Sequence, residues 1–166
     1  MRTDPTFDEV LGKFQSAFAK FRSEDSYLLE HDVYEKSMTH KLAEYLQQLF
    51  PDWNVDCEYN RNGHEPKIVE LEKETPDEEG TLVSTYPNII VHERGSNDHN
   101  ILVIEAKKSN DRRKNGERFD RRKLQAYASH IHYFVGIFLL INIEADSETP
   151  CKYDIFYDGQ WHDKDN

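Results

Sequence analysis

The sequence predicts an α/β fold, a central mixed β-sheet flanked by α-helices. Three observations carry this. Two N-terminal stretches space their apolar residues as amphipathic helices do. Two runs rich in β-branched residues flank a polar loop holding Gly95, Ser96, Asn97 and Asp98, the pattern of a β-hairpin. A further helical stretch then leads into a short apolar run of strand length.

Taken in order, residues 6–22 place Phe7, Val10, Leu11, Phe14, Phe18 and Phe21 at helical spacing, with Thr3 or Asp4 and Pro5 as the start signal. After a polar break at 23–26, a second helix is expected over about 32–50, with Val33, Leu42, Leu46 and Leu49 inward and Pro51 as its stop. Glu35 lies on the track of Thr39, Leu42 and Leu46, beside the buried stripe. Residues 53–61 alternate as a strand that ends at Asn62-Gly63. The acidic stretch 64–80 offers a short strand at 67–71. The hairpin strands follow at about 84–93 and 100–108. A loop at 111–116 then precedes a helix over 117–130 carrying Phe119, Leu124, Tyr127 and Ala128. A buried strand at 134–142 and a last strand at 152–157 complete the order. With no repeat or linker, residues 1–166 read as one domain: N-terminal helices over about 6–50, a core over about 53–142, and a C-terminal strand over about 152–157.

Composition narrows the function classes. The chain has 166 residues, 37% of them hydrophobic and 32% charged, enough apolar volume for a core under a very polar surface. No apolar run approaches the roughly 20 residues that span a bilayer. The longest, from Phe134 to Ile143, contains Gly136. The start Met-Arg-Thr-Asp-Pro lacks the apolar centre of a signal peptide. Cys57 and Cys151 are far apart and read as reduced thiols, so a cytoplasmic, membrane-free protein is expected. The net charge of −11 argues against a non-specific nucleic-acid coat. The charge is uneven, however. Between Lys107 and Lys123 nine Lys/Arg face three acidic residues, an excess of six positive charges, which leaves −17 elsewhere. That basic window is either a solvated face or a phosphate-binding one.

The chemistry concentrates in the hairpin. Asn88 follows Pro87 at the start of one strand, and Glu105 and Lys107 lie near the end of the next. Alternation puts Glu105 and Lys107 on one face. A carboxylate and an ammonium projecting from an otherwise apolar strand point to a metal-dependent hydrolase.

A glutamate on a helix (Glu35), Pro87-Asn88 at a strand start, Glu105-Ala106-Lys107 at the next strand's end, then a helix and a strand: this order resembles the PD-(D/E)XK nuclease superfamily, and looks like a small stand-alone bacterial or phage member of it. The resemblance covers residues 30–142 or so. It implies a restriction-endonuclease-like core and a Mg²⁺- or Mn²⁺-dependent nuclease acting on DNA rather than RNA, in a setting such as phage defence. It further implies Glu105 as a metal ligand, Ala106 offering its carbonyl, Lys107 acting on water and phosphate, and Glu35 completing the acidic cluster. Asn88 stands at the position of the metal-binding aspartate. Hard cations take oxygen ligands and keep several waters, so a few carboxylates and a carbonyl suffice.

Asn88 departs from the family pattern, since an amide oxygen brings no charge. Three accounts stay open: an isosteric replacement that disables cleavage, a natural nuclease in which Glu35 and Glu105 suffice, and a degenerate member kept for binding. Lys108, Arg112, Arg113, Lys114 and Lys123 are the candidate nucleic-acid contacts, the loop arginines and lysine serving phosphate rather than sequence. Tyr127 reads chiefly as core, His92 as a satisfied or exposed histidine, and Arg61 as either a phosphate contact or a surface ion pair. The acidic surface suits a protein partner better than long DNA, and the N-terminal helix with Phe7, Phe14, Phe18 and Phe21 either packs on a partner, as in a homodimer, or covers its own sheet. The alternative in a different class is an inactive nuclease-like module that binds a protein. A third reading makes the Glu-x-Lys a surface accident, with both side chains exposed at a sheet edge.

Overall fold

The computed structural model describes residues 3–71, 81–112, 116–143 and 151–163. Helix α1 (Phe7–Glu24) opens with a capping box. The Glu9 amide donates to the Thr6 hydroxyl at 3.4 Å, and the Thr6 amide donates to the Glu9 carboxylate at 2.7 Å. The cap is therefore Thr6, not Thr3 or Asp4. Val10, Phe14, Ala17, Phe18 and Phe21 form its buried stripe, and each such phenylalanine contributes about 1.5–3 kcal/mol by leaving water.

The expected polar break is a five-residue helix, α2 (Ser26–Glu30), that buries Leu29. Helix α3 (Glu35–Leu49) starts later than the periodicity suggests, because Asp32 turns left-handed at φ 47° and Tyr34 is extended. Met38, Thr39, Leu42, Ala43 and Leu46 face inward from it.

Strand β1 (Asn54–Cys57) is half the expected length. The left-handed backbone of Glu58, φ 53°, ends it and re-aims the chain. A small hairpin follows, β2 (Arg61–Asn62) with β3 (Glu65–Pro66), turning at Gly63 with φ 59°. Strands β4 (Ile68–Leu71) and β5 (Thr81–Ser84) then pair antiparallel as a separate ribbon. The first residue assigned by periodicity to the hairpin strand at 84–93 therefore belongs to this ribbon, and the strand itself is shorter, β6 (Ile89–His92). Strand β7 (Leu102–Lys108), helix α4 (Gly116–Ile131), strand β8 (Val135–Ile141), strand β9 (Cys151–Tyr157) and strand β10 (Gln160–Asp163) complete the order.

Six strands make the main sheet in the order β1-β6-β7-β8-β9-β10. All neighbours are antiparallel except β7 and β8, which run parallel and are joined through α4. This is an α/β architecture with a mixed sheet covered on both faces. On one face Leu102, Ile104 and Ala106 of β7 join the core made with α1, α2 and α3. On the other, Val103 packs with Leu124, Tyr127 and Ile131 of α4 and with Val69 and Leu71 of β4. Covered on both faces, β6 is buried at every residue, so Ile89, Ile90 and Val91 show no alternation. Among the described residues no helix is long and apolar enough to cross a membrane.

Candidate active site at the parting of two central strands

The β6–β7 ladder pairs Ile89 with Ile104 and Val91 with Leu102. Continued past Ile89, the register sets Asn88 opposite Glu105 and Pro87 opposite Ala106. Proline has no N–H, so the Ala106 carbonyl has no ladder donor at the position facing it. The Ala106 amide is taken up instead by a side chain, donating to Asn88 Oδ1 at 2.7 Å. The two strands part at this point. Asn88 Nδ2 donates to Glu58 Oε1 at 3.4 Å, while the Glu58 amide donates to the carbonyls of Pro87 and Asn88 at 3.0 and 3.3 Å. The left-handed turn that ends β1 thus delivers Glu58 to the opening.

From the same strand end, Glu105 and Lys107 project toward α4, as alternation predicts. Both are buried. They belong to a chain of alternating charge. Lys123 Nζ lies 3.1 Å from Glu105 Oε1 and 2.9 Å from Asp120 Oδ1. Asp120 Oδ2 lies 2.8 Å from Lys107 Nζ, which is 3.3 Å from Asp111. The Tyr127 hydroxyl donates to Glu105 at 3.1 Å. Burial pushes the Glu105 carboxyl up to about 7, against the pull of Lys123, and Asp120 adds to the rise. Lys123 is held above the usual lysine range: burial opposes this, but Glu105 and Asp120 outweigh it. Placing charges here costs several kcal/mol per ion unless each is paired, so the chain of partners is what makes the cluster tenable.

Glu35 approaches β7 from the opposite face. As the first residue of α3 it accepts the Lys108 amide on Oε2 at 3.3 Å. The structure therefore does not gather Glu35, Asn88, Glu105 and Lys107 on one face. Asn88 and Glu35 take up the Ala106 and Lys108 amides, two residues apart along the free edge of β7, whereas Glu105 and Lys107 lie on the α4 side. Lys108 turns its ammonium to Asp32 and to the Val33 carbonyl, 3.1 Å away, and so is tied to the turn before α3. Lys123 is turned inward to two carboxylates instead of outward. Arg112 is exposed; Arg113 and Lys114 lie outside the described residues.

Several participants escaped the sequence reading. Asp120 is one, although Asp120, Lys123 and Tyr127 fall on one helical track, a signal available beforehand. Glu58 is another, and only the turn at its own backbone brings it to Asn88. His92 is buried and satisfied, its Nε2 2.9 Å from Asp56. Arg61 is exposed on β2.

Asn88 Oδ1, the Ala106 carbonyl and the carboxylates of Glu35, Glu58 and Glu105 are hard oxygen donors, the type that Mg²⁺ or Mn²⁺ takes. The donor type fits such an ion. The convergence is weaker, because among the described residues no three His, Cys, Asp or Glu come together as a metal-binding group.

No family model matches the chain, and no curated protein matches it. A solved structure titled "Crystal structure of SSO0001" is similar at a TM-score of 0.42 with 14% identity, over 96% of this chain and 70% of that one.

Proposed function

We propose that this chain carries a restriction-endonuclease-like nuclease site, a metal-dependent phosphodiester hydrolase acting on nucleic acid, seated where β6 and β7 part. One observation carries the reading: Glu105 and Lys107 are buried charges on a central strand, immediately beside a ladder that Pro87 interrupts. Charge in such a place is expensive, and sites that do chemistry are where that cost is characteristically met. A surface accident would have left both side chains exposed at a sheet edge. The order of elements supports the reading further: α3, then the antiparallel run β1-β6-β7, then α4 and the parallel β8.

In this reading Asn88 Oδ1, the Ala106 carbonyl and Glu105 would hold Mg²⁺ or Mn²⁺, with Glu35 and Glu58 at the margin. When bound, the ion would supply charge neutralisation at the scissile phosphate and acidify a water. Lys107 would orient the attacking water, and Asp111 and Asp120 would hold its ammonium in place.

A second reading, a catalytically inactive module that binds a protein partner, is favoured by one contact. Asn88 Nδ2 donates to the Glu58 carboxylate, a bond that asparagine makes and aspartate does not. Aspartate there would set two carboxylates face to face, a repulsion that a divalent cation between them relieves. The variant Asn88→Asp is thus the test. Incubated with single- and double-stranded DNA and RNA in Mg²⁺ or Mn²⁺, it is expected to cleave at least one of them, and Glu105→Ala or Lys107→Ala should abolish that cleavage. No metal-dependent cleavage of any substrate by Asn88→Asp would discard the nuclease and leave the binding module.

A further inference from the structure

Large aromatic side chains on the surface are not scattered evenly. Five are exposed among the described residues, and four belong to segments that meet the C-terminal end of β7. Tyr34, 74% exposed, immediately precedes Glu35. Tyr86, 51% exposed, immediately precedes Pro87. Phe119, 40% exposed, lies under Lys123 with the ammonium 5.5 Å from its ring centre. Tyr27 is the fourth, stacked on His31 at 3.8 Å, one residue before the Asp32 that pairs with Lys108. The first three approach the strand end from three elements, α3, the start of β6, and α4.

Among the described residues, four lysines of the same end are paired with carboxylates, while Arg112 is exposed. Lys36 faces Glu58 at 3.5 Å, Lys107 faces Asp111 and Asp120, Lys108 faces Asp32, and Lys123 faces Glu105 and Asp120. Affinity for a duplex comes chiefly from lysines and arginines that neutralise its phosphates, and a duplex hides its base faces in the stack. Unpaired bases offer a π-face to any exposed ring, and each base stacked on an aromatic side chain typically improves binding substantially.

Resting on the nuclease reading for the site it surrounds, we infer that Tyr34, Tyr86 and Phe119 form a stacking platform, so that the nucleic acid this site takes is single-stranded. The strand binds mainly through its bases and only secondarily through its phosphates.

The test is fluorescence polarisation of a labelled 15-nucleotide DNA, alone or annealed to its complement, with the full chain in EDTA so that cleavage does not intrude. The single strand should bind at least tenfold more tightly than the duplex. The dependence on salt should be shallow, a log–log slope of no more than about 2, corresponding to some three phosphates. Tyr34→Ala, Tyr86→Ala and Phe119→Ala should each weaken single-strand binding about five- to a hundredfold. Tyr34→Phe and Tyr86→Phe, which keep the ring, should restore it. Equal affinity for duplex, no loss in the alanine variants, or failure of the phenylalanine variants to rescue would each overturn the inference. So would an absence of nucleic-acid binding, including the case where the aromatic surface serves a protein. Failure of the nuclease reading looks different: single strands would still bind in a ring-dependent way, yet Asn88→Asp with Mg²⁺ would cut nothing. Duplex cleavage indifferent to the three rings would keep the nuclease and discard the platform.

Discussion

Two clusters of buried charge share the α4 side of the sheet, and they are built differently. At the C-terminal end of β7, Glu105, Lys123, Asp120, Lys107 and Asp111 alternate in sign beside the break opened by Pro87. Toward the other end, Asp56 of β1 accepts from His92 at 2.9 Å and from Arg94 Nε at 2.8 Å, and the Tyr59 ring meets His92 edge-on at 4.7 Å. There the β1–β6 register is continuous from Asn54↔His92 to Cys57↔Ile89, and an exposed arginine closes the group from solvent. The second cluster lies on that unbroken pairing. Burial of charge is common to both, and the break in the ladder is what the proposed site adds to it.

If that contrast is right, the clusters should respond differently to substitution. The largest effect is expected at Asp120, which holds buried Lys107 and half-buried Lys123 at once. Asp120→Ala should cost about 3–5 kcal/mol in urea unfolding, and adding Lys107→Met to it should recover part of the loss, since one uncompensated ammonium is then gone. A full loss that Lys107→Met leaves unchanged would mean the chain is not coupled.

Next comes Asp56→Asn, at about 1–3 kcal/mol near neutral pH. Burial pushes this carboxyl up, but the Arg94 and His92 bonds outweigh it and hold it well below the usual carboxylate range. Its contribution is therefore present above about pH 4 and disappears as pH falls toward the depressed value. The variant should show a flatter acid limb, and an unchanged limb would remove Asp56 from the account.

Lys67 provides a smaller effect of opposite sign. It is buried between the Tyr59 and Tyr133 rings, donates to the Tyr133 hydroxyl at 3.2 Å, and burial lowers it to about 8. The unfolded chain keeps that proton to about pH 10.4, so the native protein should gain stability as pH rises between the two values. Lys67→Met should stabilise by about 1–2 kcal/mol at pH 7, and its advantage should narrow by pH 10 in thermal melts. The smallest change is expected from Lys36→Ala, which removes an exposed pair with Glu58. A shift beyond about 0.5 kcal/mol would show that Glu58 matters to the opening through more than its bond to Asn88.

Much of this molecule could be read from local pattern. The helices around Phe14, Leu42 and Leu124 announce themselves by spacing, and the common face of Glu105 and Lys107 follows from alternation alone. What could not be read is pairing across distance. Nothing near Ser84 says that it belongs with Ile68 in a ribbon and not with Ile89 in the sheet. The last strand, β10, hides in a polar tail whose pairing with β9 is set by the turn at Asp158 and Gly159. Glu35 was legible as a helical glutamate beside a buried stripe, but the side of β7 from which that helix approaches depends on how layers stack, a property of the whole sheet. Glu58 depends on one left-handed residue, for which its sequence neighbourhood holds no glycine or proline as a cue.

Pro87 acts by withholding one hydrogen atom. An opening held by attraction between charges would fade in salt, shift with pH and loosen on heating. An opening due to a missing donor is written into covalent structure, so the ladder lacks its rung at Pro87 under every condition in which the sheet itself survives.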